Sequence, residues 1–149
     1  MTKDTQVFLS YSSEDIFEAD LLQYVAENML ADLKVTLWAY HRDQARDQRS
    51  IAGGVRDMVR RSAAMIFLAS RSTLDVGSTQ WMELAYADAF GLPIFIILHR
   101  TTVPEIRTRL EHVPPLMLEA NCNPSHEWRQ VVSAVRSRLT VPRVRKRRS

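Results

Sequence analysis

Ile94–Leu98 reads I-F-I-I-L, a run with nothing polar in it. A short apolar run bounded by turn signals fits a strand buried on both faces. The residues ahead of it, 78–93, read S-T-Q-W-M-E-L-A-Y-A-D-A-F-G-L-P. Ser78 and Thr79 are candidate helix N-caps, and Gly91 with Pro93 just beyond is a helix stop. A helix feeding a doubly buried strand is a unit of the parallel sheet, because parallel strands need crossover connections that cover the faces.

The rest of the chain repeats this alternation. Residues 6–11 (Q-V-F-L-S-Y), 34–40 (K-V-T-L-W-A-Y) and 63–70 (A-A-M-I-F-L-A-S) read as three more strands. Ser12 and Asp15 form a capping arrangement. From 16 to 33 the apolar residues Ile16, Ala19, Leu22, Ala26, Met29, Leu30 and Leu33 mark an amphipathic helix of about five turns. Residues 41–49 form a polar loop, longer than usual between a strand and a helix, which suggests functional use. Ser50 is placed to cap a helix striped by Ile51, Val55, Met58 and Val59, weakened by Gly53 and Gly54. A short helix at 105–111, a fifth edge strand at 116–118 and a last helix at 127–139 complete the order. The expected fold is α/β, a flavodoxin-like three-layer αβα sandwich on a five-stranded parallel sheet of order 2-1-3-4-5. Ligands of such sheets sit outside the carboxyl ends of the strands, near the switch between strands 1 and 3. That singles out residues 10–13, 41–49 and 70–83.

A chain of 149 residues, 46% hydrophobic and 25% charged, suits one domain with a real core. No apolar run approaches a membrane span, and the first residues lack the apolar segment of a secretory signal. One cysteine, Cys122, makes no internal disulfide and suits a reducing cytoplasm. The basic balance is local. Arg143, Arg145, Lys146, Arg147 and Arg148 lie in the last seven residues, and setting them aside from the net charge of +3 leaves −2. This tail has three readings, a solvated end, a weak contact for nucleic acid or an acidic surface, and a linker, and its lack of aromatic residues argues against a sequence reader. There is no G-x-G-x-x-G after the first strand, no P-loop, no nucleophile elbow and no H-E-x-x-H. The histidines His41, His99, His112 and His126 show no ligand spacing, so no metal is expected.

One carboxylate stands apart. Glu83 lies in the first turns of the helix before Gly91. A capping box would need Gln80 as N-cap, a poor choice beside Ser78 and Thr79. An ion pair along the helix finds Tyr86 and Ala87 and no cation. Local reasoning leaves a solvated helical carboxylate or a group facing the strand-end crevice.

V-F-L-S-Y-S-S-E-D (residues 7–15) resembles the opening strand and loop of TIR (Toll/interleukin-1 receptor) domains of bacterial type. Residues 50–62 with A-M-I-F-L-A-S are similar to that family's second helix and third strand. Glu83-Leu84-x-x-Ala87-x-x-x-Gly91-x-Pro93 matches its E-L-x-x-A-x-x-x-G-x-P register. The resemblance implies a TIR domain over residues 1–140, with 141–149 as a disordered or linking tail. It further implies an NAD+ glycohydrolase or cyclase, with NAD+ as substrate, no cofactor, and Glu83 as the catalytic residue. Nicotinamide leaves as a neutral molecule, so one carboxylate facing a ribosyl oxocarbenium ion suffices. Phe8, Ser10, Tyr11, His41, Arg42, Asp43 and Trp81 are the implied substrate-binding residues. Arg42 is the candidate for a pyrophosphate, against a solvated loop balanced by Asp43 and Asp47. Trp38 is expected in the core. The family's tryptophan sits four residues before the glutamate, where this chain has Thr79. Trp81, two residues before, is turned about 160° from Glu83 on a helix, so core packing is its alternative. The implied role is a cytoplasmic immune effector, activated by assembly with other TIR domains into homo-oligomers or filaments, or coupled to a sensor domain. A non-catalytic TIR scaffold is the rival. A nucleoside deoxyribosyltransferase-like enzyme, which also uses a carboxylate at ribose in a similar fold, is the third reading.

Overall fold

The computed structural model describes residues 5–44, 51–74, 79–110 and 125–140. Four parallel strands, β1 (Thr5–Ser10), β2 (Val35–Ala39), β3 (Ala64–Ala69) and β4 (Ile94–Leu98), form one sheet in the order β2-β1-β3-β4. Five helices join and follow them: α1 (Ile16–Met29), α2 (Ile51–Arg61), α3 (Gln80–Ala89), α4 (Val103–Leu110) and α5 (Trp128–Leu139).

Side chains of a strand alternate between faces, and this alternation divides the core in two. Val7 and Leu9 of β1, Ile66 and Leu68 of β3, and Phe95 and Ile97 of β4 pack against Ala19, Leu22 and Ala26 of α1 and Val131, Val132 and Val135 of α5. Phe8, Met65, Phe67, Ile94 and Ile96 point the other way, onto Val55, Met58 and Val59 of α2, Trp81, Leu84 and Ala87 of α3, and Ile106 of α4. The strands β3 and β4 are buried at every residue, as doubly covered strands require.

Where the elements end has local causes. The stripe predicted to carry a helix to residue 33 overruns, because α1 stops at Met29 and a 3-10 turn, Ala31–Leu33, follows. Lys34, at φ 55°, then turns the chain into β2. The hydrophobic period continues through both, so it could not show the break. The stop at Gly91 is a Schellman motif: Leu92 N–H donates to the Ala87 carbonyl at 2.9 Å and Gly91 N–H to that of Asp88 at 3.1 Å. Gly91 has φ 74°, which a side chain would strain.

The predicted fifth strand, 116–118, lies outside the described residues. Among the described residues the sheet has four strands. The β4 edge carries a single parallel bridge, in which Leu98 N–H donates to the Ser125 carbonyl at 2.8 Å and Ser125 N–H to that of Ile96 at 3.0 Å. The β2 edge is occupied by side chains of α1. Leu37 N–H donates to Glu27 at 2.8 Å, and Gln23 Nε2 donates to the Leu37 carbonyl at 2.7 Å. Such coverage keeps an edge from pairing with another chain. No helix among the described residues is long and apolar enough to cross a membrane. The basic tail and Cys122 lie outside the described residues.

Candidate active site

The strand order reverses between β1 and β3, and a cavity of about 470 Å³ opens at their carboxyl ends. Its size falls within the ~300–1,000 Å³ of small-molecule sites. Leu9, Ile16, Val55 and Met82 give it apolar walls, Tyr11 and Tyr40 give it aromatic ones, and Glu83 lines it with His41 and Thr79.

Two periodicities bring Glu83 to this place. On α3 the residues Gln80, Glu83, Leu84 and Ala87 recur at helical spacing, and all four are buried. On β1, Ser10 shares the face of Phe8, turned toward α3. The Ser10 hydroxyl donates to Glu83 Oε1 at 2.7 Å, and both residues are buried. No described residue donates to Glu83 Oε2. Burial pushes the Glu83 carboxyl up to about 7, and the Ser10 hydrogen bond acts in the opposite direction and only partly offsets it. A network continues behind the pair. Gln80 Nε2 donates to the Leu68 carbonyl at 3.0 Å and approaches Ser10 Oγ at 3.4 Å, while the Thr73 hydroxyl donates to Gln80 Oε1. Each polar group thus satisfies the next inside the low-dielectric interior.

Thr73 and Gln80 fall within the stretch 70–83 that the strand-end rule singles out, but no motif gives either a role, although Gln80 shares the stripe of Leu84 and Ala87. That shared stripe was the available signal for both Gln80 and Glu83. A similar anchor lies beside the site. Asp15 is buried and accepts from the Ser70 hydroxyl at 2.5 Å, which ties the start of α1 to the end of β3. Asp15 therefore does not cap. Ser12 Oγ accepts from Glu14 N–H instead. Burial raises the Asp15 carboxyl, and the Ser70 hydrogen bond opposes this. Thr79 occupies the N-cap position of α3, but its side chain makes no capping hydrogen bond, and Ser78 lies outside the described residues.

The predicted substrate-binding residues separate into two groups. Tyr11 and His41 line the cavity with Glu83, and Ser10, itself buried, reaches the site only through its hydrogen bond to Glu83. His41 N–H donates to Tyr11 Oη at 2.7 Å, His41 Nδ1 lies 2.6 Å from the same oxygen, and His41 Nε2 pairs with Asp20 of α1. Burial pushes the Tyr11 phenol up to about 12, with the His41 backbone hydrogen bond opposing and the Glu83, Asp20 and Tyr40 charges adding.

Phe8, Arg42, Asp43 and Trp81 do not line the cavity. Phe8 is 1% exposed and stacks on Trp38 at 5.2 Å, both inside the core as its strand face dictates. Arg42 and Asp43 lie in a π-helical turn, Tyr40–Gln44, that begins the predicted polar loop; its residues 45–49 and the predicted cap Ser50 lie outside the described residues. Arg42 donates two parallel hydrogen bonds to Glu27 at 3.0 and 2.9 Å and a third to Asp43 at 3.0 Å. Asp43 accepts from Ala39 N–H at 2.9 Å and closes the end of β2. The carboxylates that hold Arg42 also raise its already high basicity. It is a bracket between this turn and α1, and not a free phosphate ligand.

Trp81 packs on Phe67 at 5.8 Å, and its Nε1–H donates to the Thr73 carbonyl at 2.8 Å. Core packing, the alternative set by its 160° turn, is where it lies. Trp81→Phe is expected to cost about 1–2 kcal/mol through the carbonyl left without its donor. A lowered urea midpoint at unchanged slope would show it, and an unchanged midpoint would remove the bond from the stability account. Among the described residues no cluster of three or more His, Cys, Asp or Glu is arranged to hold a metal ion.

No protein-family model matches the chain, and no curated protein matches it. Among solved structures it is similar to a 2-desoxiribosyltransferase from Leishmania mexicana. The TM-score is 0.55 at 20% identity, over 87% of this chain and 95% of that one. At this identity the likeness shows the fold: α/β with a parallel sheet, consistent with the flavodoxin-like expectation.

The comparison overturns the TIR assignment, because the likeness found is to a deoxyribosyltransferase and no family model supports the TIR reading. The NAD+ glycohydrolase or cyclase activity, the immune and signalling role and the TIR scaffold fall with it. The reason is visible in the motifs. The E-L-x-x-A-x-x-x-G-x-P register is a helix stripe, a Schellman stop and entry into a buried strand, and V-F-L-S-Y-S-S-E-D is a buried strand and a cap. Both are punctuation that doubly wound folds share.

Proposed function

We propose that this chain is an enzyme of nucleoside chemistry, which breaks the N-glycosidic bond of a 2′-deoxynucleoside and passes the sugar to a second base. The observation that carries the proposal is the Glu83 carboxyl, buried at a strand-end cavity and held on one oxygen by Ser10, with Oε2 left to a substrate. The fold shared with a protein named 2-desoxiribosyltransferase supports the choice of sugar.

In this reading the Glu83 carboxylate attacks C1′. The C1′–N bond breaks, its electrons stay on the base nitrogen, and the base takes up a proton as it leaves. The sugar is then held as an ester of Glu83. A second base attacks C1′ through a nitrogen, the carboxylate departs, and the attacking nitrogen gives up its proton. Water in place of that base gives free deoxyribose. Developing positive charge on the sugar is stabilised by the ionised carboxylate in a site of low dielectric. Ser10 positions that carboxylate, and the Tyr40 ring offers a face on which a planar base packs.

The test is base exchange. The protein is incubated with thymidine or 2′-deoxyinosine and free adenine, and 2′-deoxyadenosine is followed by chromatography. Formation of 2′-deoxyadenosine together with release of the first base is expected. No base released from a panel of purine and pyrimidine 2′-deoxynucleosides, with acceptor present, would sink the proposal.

A further inference from the structure

A neutral nucleoside poses a problem that Glu83 alone does not solve. Its base is a poor leaving group as an anion and needs a proton at the moment the C1′–N bond breaks. The ionisable side chains lining the cavity besides Glu83 are Tyr11, Tyr40 and His41. Two of these are joined into a chain that runs from the cavity wall to the surface. His41 Nδ1 lies 2.6 Å from Tyr11 Oη, His41 N–H donates to that oxygen at 2.7 Å, and His41 Nε2 pairs with the exposed carboxylate of Asp20. The rings of Tyr11 and His41 meet edge to face at 5.3 Å.

From this geometry we infer that Tyr11 is the proton donor to the departing base and that His41, held by Asp20, resupplies it. The inference rests on the nucleoside reading above. With a proton on each ring nitrogen, His41 donates through Nε2 to Asp20 and through Nδ1 to Tyr11. The backbone N–H of His41 takes the second acceptor site of the same phenol. Both lone pairs of Tyr11 Oη are then engaged, and its hydrogen is turned away from His41. As the C1′–N bond breaks, the base nitrogen takes this hydrogen. The Tyr11 oxygen takes the Nδ1 proton, and His41 is left neutral with Nε2–H still on Asp20. One proton has moved from His41 to the base, and Tyr11 ends as it began. The phenol's high affinity for its proton disfavours a free phenolate and so favours this coupled transfer. The groups facing the chain are Asp20 from α1, Tyr40 beside His41 and Glu83 from α3.

The test uses a pair of substrates that differ only in their need for a proton. 2′-Deoxyguanosine must receive one, whereas 7-methyl-2′-deoxyguanosine is already cationic and its base leaves as a neutral molecule. Tyr11→Phe and His41→Gln are each expected to lower kcat on 2′-deoxyguanosine by about a hundredfold or more. On the methylated substrate they should stay within about threefold of wild type. Asp20→Asn, at an exposed position, should act in the same direction with a smaller loss.

Equal losses on both substrates would overturn the relay in favour of a structural role, as would full activity on 2′-deoxyguanosine. Wild-type turnover of the methylated substrate alone would overturn the relay and leave Glu83 chemistry standing. Turnover of neither would overturn the relay, and base released from no 2′-deoxynucleoside of the wider panel would overturn the nucleoside reading with it. Thermal melts of each variant separate loss of fold from loss of the proton.

Discussion

Glu83→Gln is expected to lower base release from a 2′-deoxynucleoside by about 10³-fold or more, with little change in KM. The two side chains have the same shape, and the amide oxygen still accepts from Ser10, which lies 2.7 Å from Oε1 in the native protein. What the amide lacks is a charge to set against the developing oxocarbenium ion and an oxygen able to form an ester at C1′. A mutant within tenfold of the wild-type rate would remove Glu83 from the chemistry, and the proposed function with it.

The pH profile gives an independent reading of the same group. The carboxyl ionises at about 7, because burial raises it against the Ser10 hydrogen bond. The ionised form is the nucleophile. The acid limb of kcat/KM in the wild type should therefore bend near pH 7 and fall about tenfold per unit below it.

The second large effect is on stability. A carboxyl raised from its ordinary value of 4.5 to about 7 binds its proton more tightly in the folded protein than in the unfolded chain. Its contribution to stability is fully present below about pH 4.5 and is lost as the pH rises through about 7. The difference corresponds to roughly 3 kcal/mol. Glu83→Gln, neutral at every pH, should therefore gain on the wild type by on the order of 3 kcal/mol between pH 5 and pH 8. Urea unfolding of both proteins at the two pH values checks this. A difference independent of pH would mean that the carboxylate is solvated in the folded protein. Such a penalty at a site is what a catalytic group held ready in a dry cavity entails, and stability and activity would then move in opposite directions in a single variant.

Several features of the site are legible in the chain itself. Ser10 falls on the Phe8 face of β1 by strand alternation, and Glu83 falls on the Leu84–Ala87 stripe of α3. A parallel sheet then puts the carboxyl end of β1 beside the start of α3. Other features are not. Arg42 reads as a phosphate ligand or as a loop charge balanced by nearby Asp43 and Asp47, but Glu27, a turn and a strand away in sequence, holds it with two hydrogen bonds beside the one to Asp43. Phe8 was placed near a substrate by family register, although its own strand face turns it into the core. The TIR resemblance fails because the motifs that carry it are fold punctuation with little chemistry.

Apolar runs of three to seven residues, helical stripes between them, Gly91 in a left-handed stop and the absence of any cofactor motif are properties of the chain itself. They determine an α/β parallel sheet and the end of it at which chemistry belongs, because strand and helix periodicities are local and survive in one dimension. Which polar side chains meet there is a matter of long-range contact. Ser10 reaches Glu83 across 73 residues, Asp15 reaches Ser70 across 55, and Tyr11 reaches His41 across 30. No local pattern records such distances. Only tertiary packing could take a glutamate, as readily a solvated helical carboxylate, out of water and place it against a serine at a cavity wall.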